Sequence, residues 1–264
     1  MTEVRNTQEL AKRIRIHALR MANKAGTSHI GSCLSCADIL AVLYGEIMRY
    51  RPQEPEWKDR DRFILSKGHA GSALYATLAE CGFFPVEMLD THCQSGSLLL
   101  GHVNHVLPGV EASTGALGHG LSIGCGMAMA TKSRVFVLLS DGDLNEGSTW
   151  EAVMFAGQHK LRNLVAIVDW NQVQCIDKSV KVMHLKPLVE KWEAFGWRTV
   201  DVNGHDTHRL EVMLKSIPKW DRRPTCVVAH TVKGKGVSWM EGKVEWHFKS
   251  PRDKELEKAL EELG

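Results

Sequence analysis

Asp141 and Asn171 stand thirty residues apart (171 − 141), each just beyond an apolar run, Val135 to Leu139 before the first and Leu164 to Val168 before the second. Such runs mark strands buried on both faces of a parallel sheet. Between them a helix is expected to start in the Asn145 to Ser148 region, with Glu146 and Glu151 near its positive end and Trp150, Val153, Met154 and Ala156 on an apolar face. Strand, crossover helix and strand make one βαβ unit, whose right-handed crossover sets the two strands parallel and side by side. Neighbouring strands lie ~4.8 Å apart, so a carboxylate and a carboxamide at one sheet edge reach the same small, hard cation. Mg2+ suits that pair, because it takes oxygen ligands and keeps phosphate oxygens and water in its other positions. Gly142 has no Cβ and precedes a helix N-terminus, where a phosphate approaches the backbone closely. The three residues together describe a metal-bridged diphosphate beyond the carboxyl ends of the strands. Singly, Asp141 is equally a helix cap and Asn171 equally a turn residue; their joint placement favours the site.

Four histidines, His29, His69, His102 and His247, fall in loops near Gly or Ser rather than inside helices. Histidine changes charge most easily near neutral pH, which suits proton transfer or charge-assisted contacts to phosphate. Each by itself is more often structural, and the sequence does not show that they converge. A second chemistry fits part of the same stretch: Asp141 and Asp143 as nucleophile and acid of a phosphatase. That reading leaves Asn171 and the histidines without a role.

The rest of the chain has to position these groups. Thr7 to Lys24 has helical periodicity and stops at Gly26; 27–35 reads as a loop carrying His29, and Cys36 to Met48 as a second helix. Phe63 to Leu65 is a short strand that places His69 at a strand-to-helix turn, and the helix from Ala70 to Cys81 stops at Gly82. Pro85 to Gly109 is loop-rich. Gly115, Gly118, Gly120, Gly124 and Gly126 then crowd one segment, which implies close backbone approach to a ligand or to another element. Beyond Asn171 follow a helix around Pro187 to Phe195, strand Trp197 to Val202, helix Thr207 to Ile217, strand Thr225 to Thr231 and a charged terminal helix from Pro251 to Leu263. Alternating strands and helices make an α/β fold, a doubly wound, mainly parallel sheet with helices on both faces. With 264 residues and no repeat or linker, the chain reads as a single domain over 1–264. A net charge of +2 gives no field for nucleic acid or an anionic membrane. No apolar run approaches the ~20 residues of a membrane span. Seven scattered cysteines and no secretory leader fit a reducing cytoplasm, and the Cys33/Cys36 pair reads as packing rather than metal binding.

At this point the residues carry a family resemblance. SDGDLNEGSTWEAVMFAGQHKLRNLVAIVDWNQV, residues 140–173, resembles the thiamine diphosphate signature, an Asp-Gly followed some thirty residues later by an Asn. EGSTWEA, AGQHKL and DWN resemble transketolases more than pyruvate dehydrogenase E1 subunits. ANKAGTSHIGSCLS, DRFILSKGHAGSALYATLA, GHV, GVEASTGALGHGLSIGCGMAMA, FGWRTVDVNGHD and TVKGKGVSWMEGKVEWH resemble further transketolase segments in the same order. The resemblance spans nearly the whole chain but only the family's N-terminal, diphosphate-binding half.

It implies thiamine diphosphate with Mg2+, or Ca2+ or Mn2+ in its place, as cofactors. Asp141 and Asn171 match the side-chain metal ligands, and Val173 the position that supplies a backbone carbonyl. His69 and His247 match histidines around the diphosphate and the reacting carbon. Gly115 and Leu117 match backbone contacts to the aminopyrimidine, and Gly142 a diphosphate contact. His29 and His102 match histidines that hold substrate hydroxyls and shuttle protons. Glu146 and Glu151 match acidic residues that link paired active sites near the subunit interface; equally, they are helix N-terminal acids worth ~0.3–1 kcal/mol each. Ser28, Ser140, Gln172 and Phe248 depart from the family, each standing where Gly is common. Gln172 requires its turn to avoid strongly positive φ or to accept strain. The activity implied is two-carbon ketol transfer between sugar phosphates, with the cofactor as electron sink. The residues that activate the cofactor and grip the substrate phosphate belong to the family's later domains. A separate C-terminal subunit, in an α2β2 assembly, is therefore expected, docked on apolar surface that includes Leu121 to Ala130. The alternatives are half of a 2-oxoacid dehydrogenase or deoxyxylulose phosphate synthase, or a non-catalytic cofactor-binding subunit.

Overall fold

Five parallel strands form the sheet in a computed structural model that describes residues 6–218 and 221–264. They are β1 (Arg62–Leu65), β2 (Val135–Ser140), β3 (Leu164–Trp170), β4 (Arg198–Asn203) and β5 (Thr225–His230), in spatial order β1-β2-β3-β5-β4. The helices are α1 (Thr7–Ala25), α2 (Ile30–Val42), α3 (Gly71–Glu80), α4 (His119–Ala130), α5 (Gly147–Gln158), α6 (Ser179–Val182), α7 (Leu188–Ala194), α8 (Thr207–Lys215) and α9 (Asp253–Leu263). β2 and β3 are buried at every position, as their unbroken apolar runs require. Successive side chains of a strand point to opposite faces. Phe136 and Leu138 of β2, with Val165 and Ile167 of β3, therefore join the core shared with α1, α2, α3 and α8. Val135, Val137 and Leu139, with Ala166 and Val168, join the core shared with α4, α5 and α7. The doubly wound arrangement follows from that alternation. β2 and β3 pair in parallel with Ser140 opposite Asp169, so the residues that follow them leave the sheet at one edge.

Two helices differ from the sequence reading. The second one begins at Ile30, not Cys36, and the segment assigned to a loop is its buried first turns. His29, at φ +74°, reverses the chain just ahead of it. Ser32, Cys33, Ser35 and Cys36 look loop-like, yet Cys36 Sγ donates to the Ser32 carbonyl at 3.3 Å and Ser35 Oγ donates to the buried Asp169 carboxylate at 2.6 Å. Small side chains whose polar atoms find partners in the interior let α2 pack deep in the core. Ile30–Ile47 thus forms an 18-residue stretch of mean hydropathy 1.5, contrary to the expectation that no run approaches a membrane span; 89% of it is buried within the fold. On α5 the inward face is Thr149, Ala152, Val153 and Ala156, while Met154, expected on the apolar face, is exposed.

The crowded glycines seat a helix on the sheet. A Cβ on Gly124 would lie 2.5 Å from Val137 Cγ2, and one on Gly120 would overlap Ser66. Only hydrogen at these positions lets α4 lie this close to β2 and the end of β1.

Candidate active site

Because every strand runs the same way, the segments after β1, β2, β3 and β5 converge on one edge, where they enclose a cavity of about 220 Å3. The turn after β1 carries His69, the turn after β2 carries Asp141 and Gly142, and the turn after β3 carries Asn171 and Val173. His247 arrives from beyond β5, His29 from the turn before α2, and His102, Gly115 and Leu117 from the long connection between α3 and α4. Ten of the twelve residues singled out in the sequence line this one cavity. Glu146 and Glu151 do not: both are exposed at the start of α5. Two lysines escaped the sequence reading. Lys233 lines the cavity and Lys67 lies beneath it, both at most 1% exposed. Lysines ordinarily belong to the surface, and the only signal was their position just after strands β1 and β5.

The four histidines form a cluster. His29 is the hub, with ring centroids 4.8 Å from His247, 5.1 Å from His69 and 5.8 Å from His102. Burial, reinforced by His102 and Lys233, brings His29 down to about 4. Burial with Lys233 and His29 brings His247 to about 3, and burial with Lys67 holds His69 well below its ordinary value. These three rings are neutral at pH 7, which corrects the expectation of charge-assisted contacts from them. The charge facing the cavity is on Lys233, whose Nζ donates to the Val173 carbonyl at 3.0 Å and to His247 Nδ1 at 2.8 Å. Accepting at Nδ1 puts the proton of neutral His247 on Nε2.

Asp141 fits a cation. It is 2% exposed; Oδ2 accepts from Ser179 Oγ, and Oδ1 is buried with no partner among the described residues. Burial raises its carboxyl to about 7. A divalent ion at Oδ1 would supply the missing partner and restore the charge. Asn171 Oδ1 accepts from the Val173 N–H at 3.1 Å and keeps a second lone pair. One carboxylate, one carboxamide and one carbonyl are too few to cage an ion, and no cluster of three His, Cys, Asp or Glu exists among the described residues. That donor set suits Mg2+, which takes its remaining ligands from phosphate and water.

Asp143, the second carboxylate of the phosphatase reading, has no free lone pair to offer. Oδ1 accepts from Ser66 Oγ at 2.5 Å and the Gly118 N–H at 3.0 Å; Oδ2 accepts from the Ser140 N–H and hydroxyl, both at 2.8 Å. It ties the tips of β1 and β2 to the start of α4, and Ser140 is a working part of that clasp. Gln172 sits at φ +62°, so its turn takes the strained option. Gln172→Gly is expected to stabilise the chain by about 0.5–1 kcal/mol in urea denaturation, the left-handed cost exceeding the added chain entropy.

Residues 6–264 match the family described as "Transketolase, thiamine diphosphate binding domain". Over 267 residues the chain is 42% identical to one of the subunits of the apulose-4-phosphate transketolase of Phocaeicola vulgatus, covering 99% of this chain and 95% of that one. It is 37% identical over 262 residues to the 6-deoxy-6-sulfo-D-fructose transketolase subunit SqwG of a Clostridium species, covering 97% and 95%. Among solved structures, the transketolase of Campylobacter jejuni superposes with a TM-score of 0.92 at 32% identity, covering 98% of this chain. The chain spans 42% of the length of that transketolase.

Proposed function

The chain belongs to the transketolase family, through its thiamine diphosphate binding domain, and on that premise we propose that it is the diphosphate-binding subunit of a split transketolase. With a second polypeptide it transfers a two-carbon ketol unit from a ketose phosphate to an aldose acceptor. The observation that supports this best is the meeting, in one cavity, of a half-satisfied carboxylate and carboxamide with a cluster of four histidines. Residues 1–264 act as one diphosphate-binding domain.

When bound, thiamine diphosphate supplies the carbon nucleophile that takes up and hands on the two-carbon unit. Asp141, Asn171 and the Val173 carbonyl would hold the divalent cation, Mg2+ or Ca2+ or Mn2+ in its place, that anchors the diphosphate. Gly142 offers the backbone and Lys233 the positive charge that an anion needs. Gly115 and Leu117 would contact the aminopyrimidine, His69 and His247 would serve the reacting carbon, and His29 and His102 would hold sugar hydroxyls, since all six line the same cavity. A neutral imidazole has one donor and one acceptor, so such rings pass protons between hydroxyls and solvent, help worth ~10²–10⁴-fold. Glu146 and Glu151, exposed at the start of α5, lie at the interface with the partner in an α2β2 assembly. The complex is cytoplasmic, in keeping with cysteines scattered through the apolar segments of the chain, and engages neither nucleic acid nor membrane.

The test is reconstitution. The purified chain alone is expected to bind thiamine diphosphate weakly and to transfer no ketol; mixed with a C-terminal transketolase subunit, it is expected to turn over ketose and aldose phosphates from a panel. Normal rates from the chain alone would remove the split arrangement. A mixture that binds cofactor but never turns over would make the chain regulatory, and CO2 release from pyruvate would move it to another thiamine diphosphate reaction.

A further inference from the structure

Beneath the cation ligands lies a closed polar network that none of the proposed roles uses. Lys67 and Asp169 are both 0% exposed and form an ion pair through Asp169 Oδ2. Lys67 also donates to the Ser32 carbonyl at 3.0 Å. The same Oδ2 accepts from Ser35 Oγ at 2.6 Å, and Oδ1 accepts from Thr231 Oγ1. The network joins α2, the turn after β1, the end of β3 and the segment after β5. Burial works against charge on Asp169, but Lys67 beside it and the two hydroxyl donors outweigh burial and hold its carboxyl below the ordinary value.

Asn171 stands on this platform. Its Nδ2 faces Asp169 Oδ2 and Ser35 Oγ, each at 3.4 Å, while its Oδ1 accepts from the Val173 N–H at 3.1 Å. Nδ2 at 3.4 Å makes long hydrogen bonds, so their value lies in direction rather than strength. A flipped carboxamide would set Oδ1 against the Asp169 carboxylate and the NH2 group against the Val173 N–H, an acceptor facing an acceptor and a donor facing a donor. Only one orientation is compatible with both ends. It is the one that leaves an oxygen, not an NH2 group, available to a cation.

We propose that Asp169, held by Lys67 and Ser35, is a positioning residue that fixes the Asn171 carboxamide with its oxygen toward the divalent cation. It touches neither cation nor cofactor. Its negative charge also lies near Asp141, and Lys67 offsets that charge locally. This inference rests on the transketolase reading above.

The experiment uses the reconstituted two-subunit complex, with Mn2+ as the probe in the presence of thiamine diphosphate. Removing one member of a buried ion pair risks the fold, so Lys67→Met and Asp169→Leu are made together, which replaces the pair by apolar side chains of similar size. Ser35→Ala is the milder companion. Partners that orient metal ligands typically contribute 10–100-fold to metal affinity. The double variant is therefore expected to raise the Mn2+ dissociation constant, read by electron paramagnetic resonance, by 10–100-fold, and Ser35→Ala by a smaller factor. Turnover at saturating Mn2+ is expected to stay within about threefold of the parent complex, because the cation anchors the diphosphate and excess metal refills the site. A merely structural pair predicts a changed melting temperature with unchanged Mn2+ affinity, and that result in the folded double variant overturns the proposal. If the double variant fails to fold, unchanged Mn2+ affinity in Ser35→Ala overturns it. A parent complex that binds no Mn2+ with thiamine diphosphate removes the functional reading itself.

Discussion

Asp141→Asn is expected to move stability and cofactor binding in opposite directions. A carboxyl raised from 3.8 to about 7 by burial is protonated more readily in the folded chain than in the unfolded one. Its contribution to stability is therefore complete below about pH 4, falls as pH rises toward 7, and stays lost above that. The loss corresponds to on the order of 4 kcal/mol at pH 8. Asparagine removes the charge but leaves an NH2 hydrogen buried without a partner, a cost of ~1–3 kcal/mol. The net expectation at pH 8 is about 2 kcal/mol of added stability in the free chain, shrinking to nothing or reversing at pH 4. Urea denaturation at the two pH values reads it. In the proposed two-subunit complex the same change removes the carboxylate assigned to the cation, and cation-dependent thiamine diphosphate binding is expected to be lost. A variant no more stable than the parent at pH 8 would mean that Asp141 carries no such strain.

Gly68→Ala is expected to damage fold and site together. A Cβ at Gly68 would overlap the carbonyl group of Thr114, which is backbone and cannot rotate away. Thr114 is itself tied to β1, its hydroxyl donating to the Leu65 carbonyl, and Gly115 at the cavity wall comes next. Either the turn that carries His69 or the loop that carries Gly115 and Leu117 must shift. Overpacking of this kind costs 1–3 kcal/mol and occasionally more, so about 3 kcal/mol is expected here. Thiamine diphosphate affinity in the complex is expected to fall at least tenfold, as measured by titration. Gly126→Ala is the control: nothing lies within 4 Å of its Cβ on the exposed side of α4, and the free chain is expected to gain about 0.5–1 kcal/mol.

Parts of the site were legible because local rules produce them. The apolar runs before Asp141 and Asn171 matched buried parallel strands, the thirty-residue spacing fitted one βαβ unit, and β2 and β3 do pair in parallel. Their ends therefore had to share an edge. α1 was equally plain, with Asn6 accepting from the N–H groups of Gln8 and Glu9 and Gly26 ending the helix at φ +63°. α2 was misread at its start because Ser and Cys side chains signal loops until the core is seen to surround them. Gln172 kept its positive φ because the turn, held by the Ser179 N–H on its carbonyl at 2.9 Å, overrides the residue's own preference.

The pairing of β2 with β3, the turns that carry Asp141 and Asn171 and the histidines available to them were determined by the sequence itself, since hydrophobic periodicity and chain reach act over a few residues. Long-range packing alone decided that rings at 29, 69, 102 and 247 touch, that burial leaves three of them neutral, and that two lysines enter the interior. Desolvation and Coulomb forces depend on what surrounds a group in space, and neighbours as far apart in the chain as His29 and His247 leave no mark on local sequence.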